Sequence, residues 1–213
     1  VLLALVVCIV LCTVFTTIAG FFTAKFKMHP FISTMANMLV IFGLVTYSTK
    51  GVSFGAIDPS IPNMIIPRIG KFPTIILWAV AAVVIVWFIW NKTTFGKNMF
   101  ALGANEEAAR VAGVNVFATT IAVFALAGAM YGWAGFVESA RIASNTANTG
   151  VNYELDAIAA CVIGGVSFVG GIGKISGIVI GVIMLRLIFV ALPLVGMDQN
   201  LQYAIKGGII LFA

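Results

Sequence analysis

The sequence predicts an all-α, polytopic helical membrane protein, and three observations lead to this prediction. Of its 213 residues, 62% are hydrophobic and 9% are charged, whereas a soluble domain carries about 25% charged residues. The mean hydropathy is +1.13. Several apolar runs approach or reach the roughly 20 residues with which a helix crosses the hydrocarbon core. A chain with so few charges cannot cover a water-facing surface, and we expect it in lipid.

The apolar runs follow one another along a single transmembrane domain, residues 1–213. A shorter apolar run, residues 157–169, is either a span extended at both ends or a partly re-entrant segment. Both chain ends stop inside apolar runs, so we expect a fragment of a longer protein. The predicted spans are residues 1–22, 31–49, 74–90, 117–137 and 178–195, and residues 201–213 begin a further one.

Glycine and proline divide these runs. Residues 50–73 contain so many of both that a continuous helix is excluded. In the span 117–137, Gly128, Gly132 and Gly135 form a predicted small-residue face for close helix packing. The glycines between residues 164 and 173 are expected to let helices turn sharply or their backbones pack closely.

One short polar helix stands between the third and fourth spans. Asn105 is a predicted N-cap, and Glu106 and Glu107 follow at the positive end of the helix dipole. Arg110 lies four residues after Glu106, which is the favoured order for a pair on one helix face. Gly113 can turn left-handed and end the helix. Such a helix suits contact with a soluble partner better than contact with lipid.

The distribution of basic residues predicts that this helix is cytoplasmic. Short loops rich in Lys and Arg stay in the cytoplasm. Alternating spans place more of these residues on the side of the polar helix. They are Lys25, Lys27, Lys92, Lys97, Arg110 and Lys174, against Lys50, Arg68, Lys71 and Arg141 on the other side.

Most enzyme signatures are missing from the sequence, and we expect a chain that is not itself an enzyme and holds no cofactor. A phosphate loop ending at Gly173 and Lys174 would need a glycine at Phe168 and a hydroxyl at Ile175. With one histidine and three cysteines inside apolar runs, a metal site is not expected. The basic charge marks loop ends, not a nucleic-acid surface. Arg186 lies in mid-span, where it either lines a pore or forms a pair, or else snorkels or contacts a helix dipole.

A second polar stretch follows the fourth span. Its amides, phenol and carboxylates could hydrogen-bond sugar hydroxyls, or could cap helices at an interface. We favour capping for the individual residues and keep the stretch as the candidate translocation path or outer mouth. It comprises Asn145, Asn148, Asn152, Tyr153, Glu154 and Asp156.

Two motif blocks resemble a known family. They are ALGANEEAARVAGVNV, residues 101–116, and NTANTGVNYELDAIAACVIGGVSFVGGIGKISG, residues 145–177. Both resemble the permease subunit of ABC importers for ribose, xylose and galactose, and the sequence looks most like galactose/methyl-galactoside permeases. The resemblance implies a fragment of a type II-like permease of about ten spans in the bacterial inner membrane. It also implies alternating access driven by partner ATPases.

The same resemblance implies partners: a second copy of the permease, a cytoplasmic ATP-binding subunit that holds the ATP, and a periplasmic sugar-binding protein. In this family, the loop that corresponds to residues 103–115 couples the permease to the ATPase. The residues this assigns to coupling are Gly103, Asn105, Glu106, Glu107, Ala109, Arg110 and Gly113. Two alternatives stay open at this point: an energy-independent sugar channel, and a membrane scaffold that recruits a cytoplasmic partner.

Overall fold

The computed structural model of the chain describes residues 1–53, 60–69, 72–194, 196 and 201–211. These residues form helices with a single pair of two-residue antiparallel strands, in which Arg68 pairs with Pro73 and Ile69 with Phe72. The elements are α1 (Leu2–Phe26), α2 (Pro30–Thr49), α3 (Ser60–Ile65), β1 (Arg68–Ile69), β2 (Phe72–Pro73), α4 (Ile75–Lys92), α5 (Thr94–Ala104), α6 (Glu106–Val111), α7 (Val116–Ile142), α8 (Tyr153–Ile163), α9 (Ile175–Leu194) and α10 (Leu201–Leu211).

The all-α class is confirmed. Within the described residues, five helices are long and apolar enough to cross a membrane: α1, α2, α4, α7 and α9. The loop after α2 contains only the six-residue α3 and the strand pair among its described residues. The prediction that no continuous helix fills this loop is therefore confirmed.

Two membrane helices run further than their apolar sequences indicate. Helix α1 continues to Phe26 and ends at Lys27, which has a left-handed backbone with φ 51°. Helix α7 continues to Ile142. Charged residues do not stop α7, because Arg141 donates to both carboxylate oxygens of Glu138 at 2.6 and 2.7 Å, one turn away on the same helix. The pairing satisfies both charges within the last turn.

The predicted apolar segment at residues 157–169 differs from the helix in the structure, α8, which begins at Tyr153 and ends at Ile163. It has 11 residues, or about 16 Å at the α-helical rise, which is near half the hydrocarbon thickness. Gly165, at φ 78°, ends it. The amide of Gly165 donates to Val162 O and the amide of Val166 to Cys161 O, which together form a Schellman cap. Of the two alternatives left open for residues 157–169, a span extended at both ends does not fit this helix, which ends at Ile163.

The chain divides into two compact units. In the first, residues 1–88 and 113–149, α1 packs along α7. A Cβ at Gly132 would lie 2.5 Å from Ile9 Cα, and a Cβ at Gly128 would lie 2.7 Å from Cys12 O. The predicted small-residue face is therefore real at these two glycines. It does not include Gly135, whose Cβ position meets no atom of the described residues within 4 Å.

The core of the first unit lies at one end of α7. Phe136 and Ala140 of α7 are buried with Ile65 of α3. Trp78 joins them from α4, with its indole N–H donating to Ile65 O at 2.9 Å. Its ring centroid is 5.1 Å from that of Trp133. A partly buried indole that finds a backbone acceptor fixes α3 against α4 and pairs its own N–H.

The second unit, residues 89–112 and 150–213, contains a helical hairpin. Helices α8 and α9 run antiparallel, because a Cβ at Gly164 would lie 2.7 Å from Gly177 C and a Cβ at Gly181 would contact Ala160 O. Farther from the turn, the hairpin closes over a buried cluster to which α10 contributes partly buried side chains. The cluster consists of Ala159, Ala160, Leu185 and Phe189, with Ile205 and Ile209 packed on it.

We expect Gly132→Val to destabilise the first unit and Gly135→Val to be far milder. Both residues lie in α7 and both changes introduce the same side chain, so the intrinsic helix preference changes equally. Only the side chain at Gly132 meets the backbone of α1, and such overpacking costs about 1–3 kcal/mol. Thermal unfolding of the full-length protein in detergent measures the difference. Equal melting temperatures for the two variants would contradict this packing.

Candidate functional site

Helix α6 has the predicted geometry. Asn105 is extended, with φ −162° and ψ 114°, and its Oδ1 accepts the amide N–H of Ala108 at 2.9 Å. Glu106 and Glu107 occupy the first turn. The Asn105 cap satisfies one of the amides that a helix start leaves unpaired. The sequence prediction of this helix is confirmed at both its cap and its acidic first turn.

A single ion pair lies along α6. Arg110 Nη2 lies 3.0 Å from Glu106 Oε1, and the two side chains are 60% and 50% exposed. An exposed pair of this kind contributes about 0.3–0.5 kcal/mol. Its stabilising effect is therefore small, and its charges remain available to a partner.

The C-terminal end of α6 also agrees with the sequence. The Ala112 amide donates to Ala108 O at 3.0 Å. Gly113 follows with φ 85°, a left-handed conformation that glycine adopts without steric cost. Most of the α6 surface is free. Ala109 is buried at 3% exposure, whereas the apolar Val111 is 90% exposed.

Asn105 joins α6 to a second helix that the sequence did not reveal. Its amide N–H donates to Ala101 O at 3.1 Å and closes the last turn of α5. Thr93 caps the start of α5, with its Oγ1 accepting the Gly96 amide at 3.2 Å. A search for membrane-length apolar runs passes over α5, because it has only 11 residues. The cap at Thr93 was the available signal.

The predicted path residues fall in both units, two of them in the first and four in the second. In the first unit, Asn145 is half-buried and Asn148 is exposed. Their turn is held by Thr146 and Thr149, with the Thr146 amide donating to Thr149 Oγ1 at 3.0 Å.

In the second unit, Asn152 precedes α8 with φ 70° and makes no side-chain cap bond. The expectation that Asn152 caps a helix is therefore wrong.

The first turn of α8 carries the other three path residues. Tyr153 is exposed, while Glu154 and Asp156 are half-buried. Gly164 lies beside Gly177, and Ala160 beside Gly181. The same antiparallel spacing puts Asp156 level with Leu185, near the middle of α9. A role for these residues in translocation stays a prediction.

Two further predictions concern Arg186 and the possibility of a metal site. Arg186 is exposed on α9, next to the exposed apolar residues Ile183 and Leu187. Across the described ranges, no three His, Cys, Asp or Glu side chains come together in a way that could hold a metal ion.

We expect Asn105→Ala to loosen α6 and Asn105→Asp to preserve it. Alanine removes the acceptor for the Ala108 amide, which costs about 1 kcal/mol, whereas aspartate still caps. Hydrogen exchange over residues 105–113 of the full-length protein reports the change, because local opening sets the exchange rate. The alanine variant should exchange about fivefold faster there. Equal exchange in both variants would show that the cap does not hold the helix.

Over its whole length, residues 1–213, the chain matches the family described as branched-chain amino acid transport system / permease component. It is 47% identical across all its residues to the galactose/methyl galactoside import permease of Treponema pallidum (strain Nichols), and covers 42% of that protein. The corresponding permease of Escherichia coli (strain K12) is 42% identical, again across the whole chain, which covers 65% of it.

A ribose import permease of Bacillus subtilis (strain 168) is 37% identical over 91% of the chain, which covers 61% of that protein. The chain thus spans about two fifths to two thirds of the length of these relatives. No solved structure matches it. The resemblance to permeases of monosaccharide importers is confirmed, as is the membrane location. The chain belongs to the family of permease components of transport systems.

Proposed function

We propose that the chain is part of the membrane permease of an ATP-driven importer that carries a monosaccharide across the bacterial inner membrane. The observation that supports this most is α6, a capped and exposed polar helix in a chain of membrane-length helices whose family is a permease family. We propose galactose or methyl galactoside as the substrate, because those sugars appear in the names of the relatives that are 42–47% identical.

The proposed energy source is ATP held by a separate cytoplasmic subunit. The glycine-rich stretch of this chain lacks the phosphate-loop spacing, with Phe168 and Ile175 in place of the required glycine and hydroxyl. A transport subunit without its own nucleotide site needs a surface through which it receives work. Helix α6 offers one: Glu106, Glu107 and Arg110 are exposed on it.

In the proposed mechanism, ATP closes the partner subunits and moves α6 as a rigid lever. Alternating access then follows from a switch at the interface between two copies of the permease. A helix that is capped at its start and ended by a glycine can be displaced without unwinding, which a lever requires. The residues we assign to coupling are Gly103, Asn105, Glu106, Glu107, Ala109, Arg110 and Gly113.

A periplasmic binding protein is the proposed source of the sugar. Its involvement would place most of the selectivity outside the membrane and leave weak polar and aromatic contacts for the path. We assign these to Asn145, Asn148, Asn152, Tyr153, Glu154 and Asp156. Weak contacts suit transport, because a tightly bound sugar leaves slowly.

Uptake of labelled galactose into vesicles tests the proposal. The vesicles carry the full-length permease and its ATPase, with the binding protein supplied outside and ATP either present or absent inside. Accumulation that requires ATP supports an importer. Equilibration without ATP would replace the proposal with a sugar channel. A membrane scaffold would fit best if galactose, ribose and xylose all failed to enter.

Exchanging the charges of α6, Glu106→Arg with Arg110→Glu, should uncouple ATP hydrolysis from uptake. The permease should still fold, since the original pair contributes only about 0.3–0.5 kcal/mol. The reversed charges would repel the surface of the ATPase that the native pair fits. Sugar taken up per ATP hydrolysed is the measurement.

The matched control exchanges a second ion pair of the described residues, Glu138→Arg with Arg141→Glu. This pair lies in the last turn of α7, outside the residues assigned to coupling. The control should keep its uptake per ATP. Retained coupling in the α6 variant would show that these charges do not contact the ATPase.

A further inference from the structure

The glycine-rich turn between α8 and α9 packs directly against the C-terminal end of α5. A Cβ at Gly103 would lie 2.6 Å from Gly171 N, and a Cβ at Gly170 would lie 2.7 Å from Gly103 O. A Cβ at Gly171 would lie 2.7 Å from Ala104 Cα. No side chain fits between these backbones. We call Gly103, Ala104, Gly170 and Gly171 the glycine junction.

The turn at the glycine junction is held by its own hydrogen bonds. The Ser167 amide donates to Ile172 O at 3.0 Å, and the Gly170 amide donates to Ser167 O at 3.3 Å. Ser167 Oγ also accepts the amide of Val169 at 3.2 Å. A turn closed in this way moves as a body, because bending it would break several backbone hydrogen bonds.

The same turn is fixed to both helices of the hairpin. The Schellman cap at Gly165 attaches it to α8, and the Ile178 amide donates to Lys174 O at 3.1 Å at the start of α9. On the other side of the junction, only Asn105 separates Ala104 from α6, and its hydrogen bonds cap both α5 and α6. The connection from α6 to the hairpin therefore consists of helix caps, direct backbone contacts and a hydrogen-bonded turn.

We propose that the glycine junction transmits the displacement of α6 to the α8–α9 hairpin. Gly103, Gly170 and Gly171 are then positioning residues for transport. Helix α8, about 16 Å long, carries the movement from the junction to its first turn. That turn holds Tyr153, Glu154 and Asp156, three of the residues assigned to the path. This inference rests on the proposed function, because it names the element that the ATPase moves.

Gly103→Ala is the sharpest variant. It lies in the last turn of α5, where alanine favours the helix by about 1 kcal/mol, so the substitution itself does not weaken α5. Among the described residues, its unfavourable contact is with the turn. Gly173→Ala is the matched control, because it makes the same change in the same turn. A Cβ at Gly173 would meet only the side chain of Val166, at 3.4 Å or more, among the described residues.

The measurement is sugar taken up per ATP hydrolysed, in vesicles with the full-length permease, its ATPase and the binding protein. We expect Gly103→Ala to retain the ATPase and hydrolyse ATP within twofold of the wild type, while uptake per ATP falls at least tenfold. Gly173→Ala should keep its uptake per ATP within twofold. A role that is only structural would lower both rates together.

Three outcomes would overturn the inference: unchanged uptake per ATP in Gly103→Ala, an equal loss in Gly173→Ala, or loss of ATPase binding in Gly103→Ala. The last would make the junction part of the docking surface instead of a transmission element. Failure of the wild type to take up sugar with ATP would refute the proposed function itself. That result would overturn this inference too. The two failures can be distinguished, because a wrong function is seen in the wild type, whereas a wrong inference is seen only in the variants.

Ala104→Val keeps the inference testable if Gly103→Ala does not fold. Ala104 already has a Cβ, and it lies 2.9 Å from the position that a Cβ at Gly171 would take. The added methyl groups can rotate, so this variant widens the junction without placing a new Cβ between two backbones. We expect its uptake per ATP to fall at least threefold while ATP hydrolysis stays within twofold of the wild type. Unchanged uptake per ATP in Ala104→Val would overturn the inference.

Discussion

Close approach of backbones at glycine is the constraint on which both units depend. Lipid tails are as apolar as leucine, so helices in a bilayer gain little from burying apolar side chains against one another. They gain dispersion contacts when small residues let backbones come near. Gly128 and Gly132 do this between α1 and α7, and Gly164 and Gly177 do it between α8 and α9. Large side chains are then left to face outward.

The same close approach of backbones makes the connection between α6 and the α8–α9 hairpin stiff. A side chain between α5 and the hairpin turn would act as a compressible spacer, since rotamers can change. Gly103 against Gly171 leaves no such spacer. Asn105 adds the second stiff connection, because one residue caps two helices with its amide and its side chain. A short exposed helix therefore continues, through backbone contacts, into a hairpin of the second unit.

Local features of the sequence were enough to predict α6. The cap, the acidic first turn, the ion pair and the final glycine each depend on residues within a few positions of one another, and each is present. The spans were also predictable, because apolar length follows directly from composition. Their ends were less so: pairing of Glu138 with Arg141 lets α7 continue through charges that suggest an end.

Features set by other parts of the chain could not be predicted from local sequence. Gly132 and Gly135 are alike in sequence context, and only the position of α1 makes one a contact and leaves the other open. Asn152 has the residue type of a cap but the wrong backbone conformation to act as one. The glycine junction joins residues far apart in the chain, and no periodicity in the sequence predicts such a contact.

A photo-crosslinking amino acid at Val111 would test most directly whether α6 receives the work of an ATPase. Val111 is 90% exposed on α6, and Tyr131, 61% exposed on a membrane-length helix, is the control position. In cells that make the full-length permease with its ATPase, we predict a cross-link to the ATPase from position 111 and none from position 131. Cross-links from position 111 to lipid alone would contradict α6 as the coupling element.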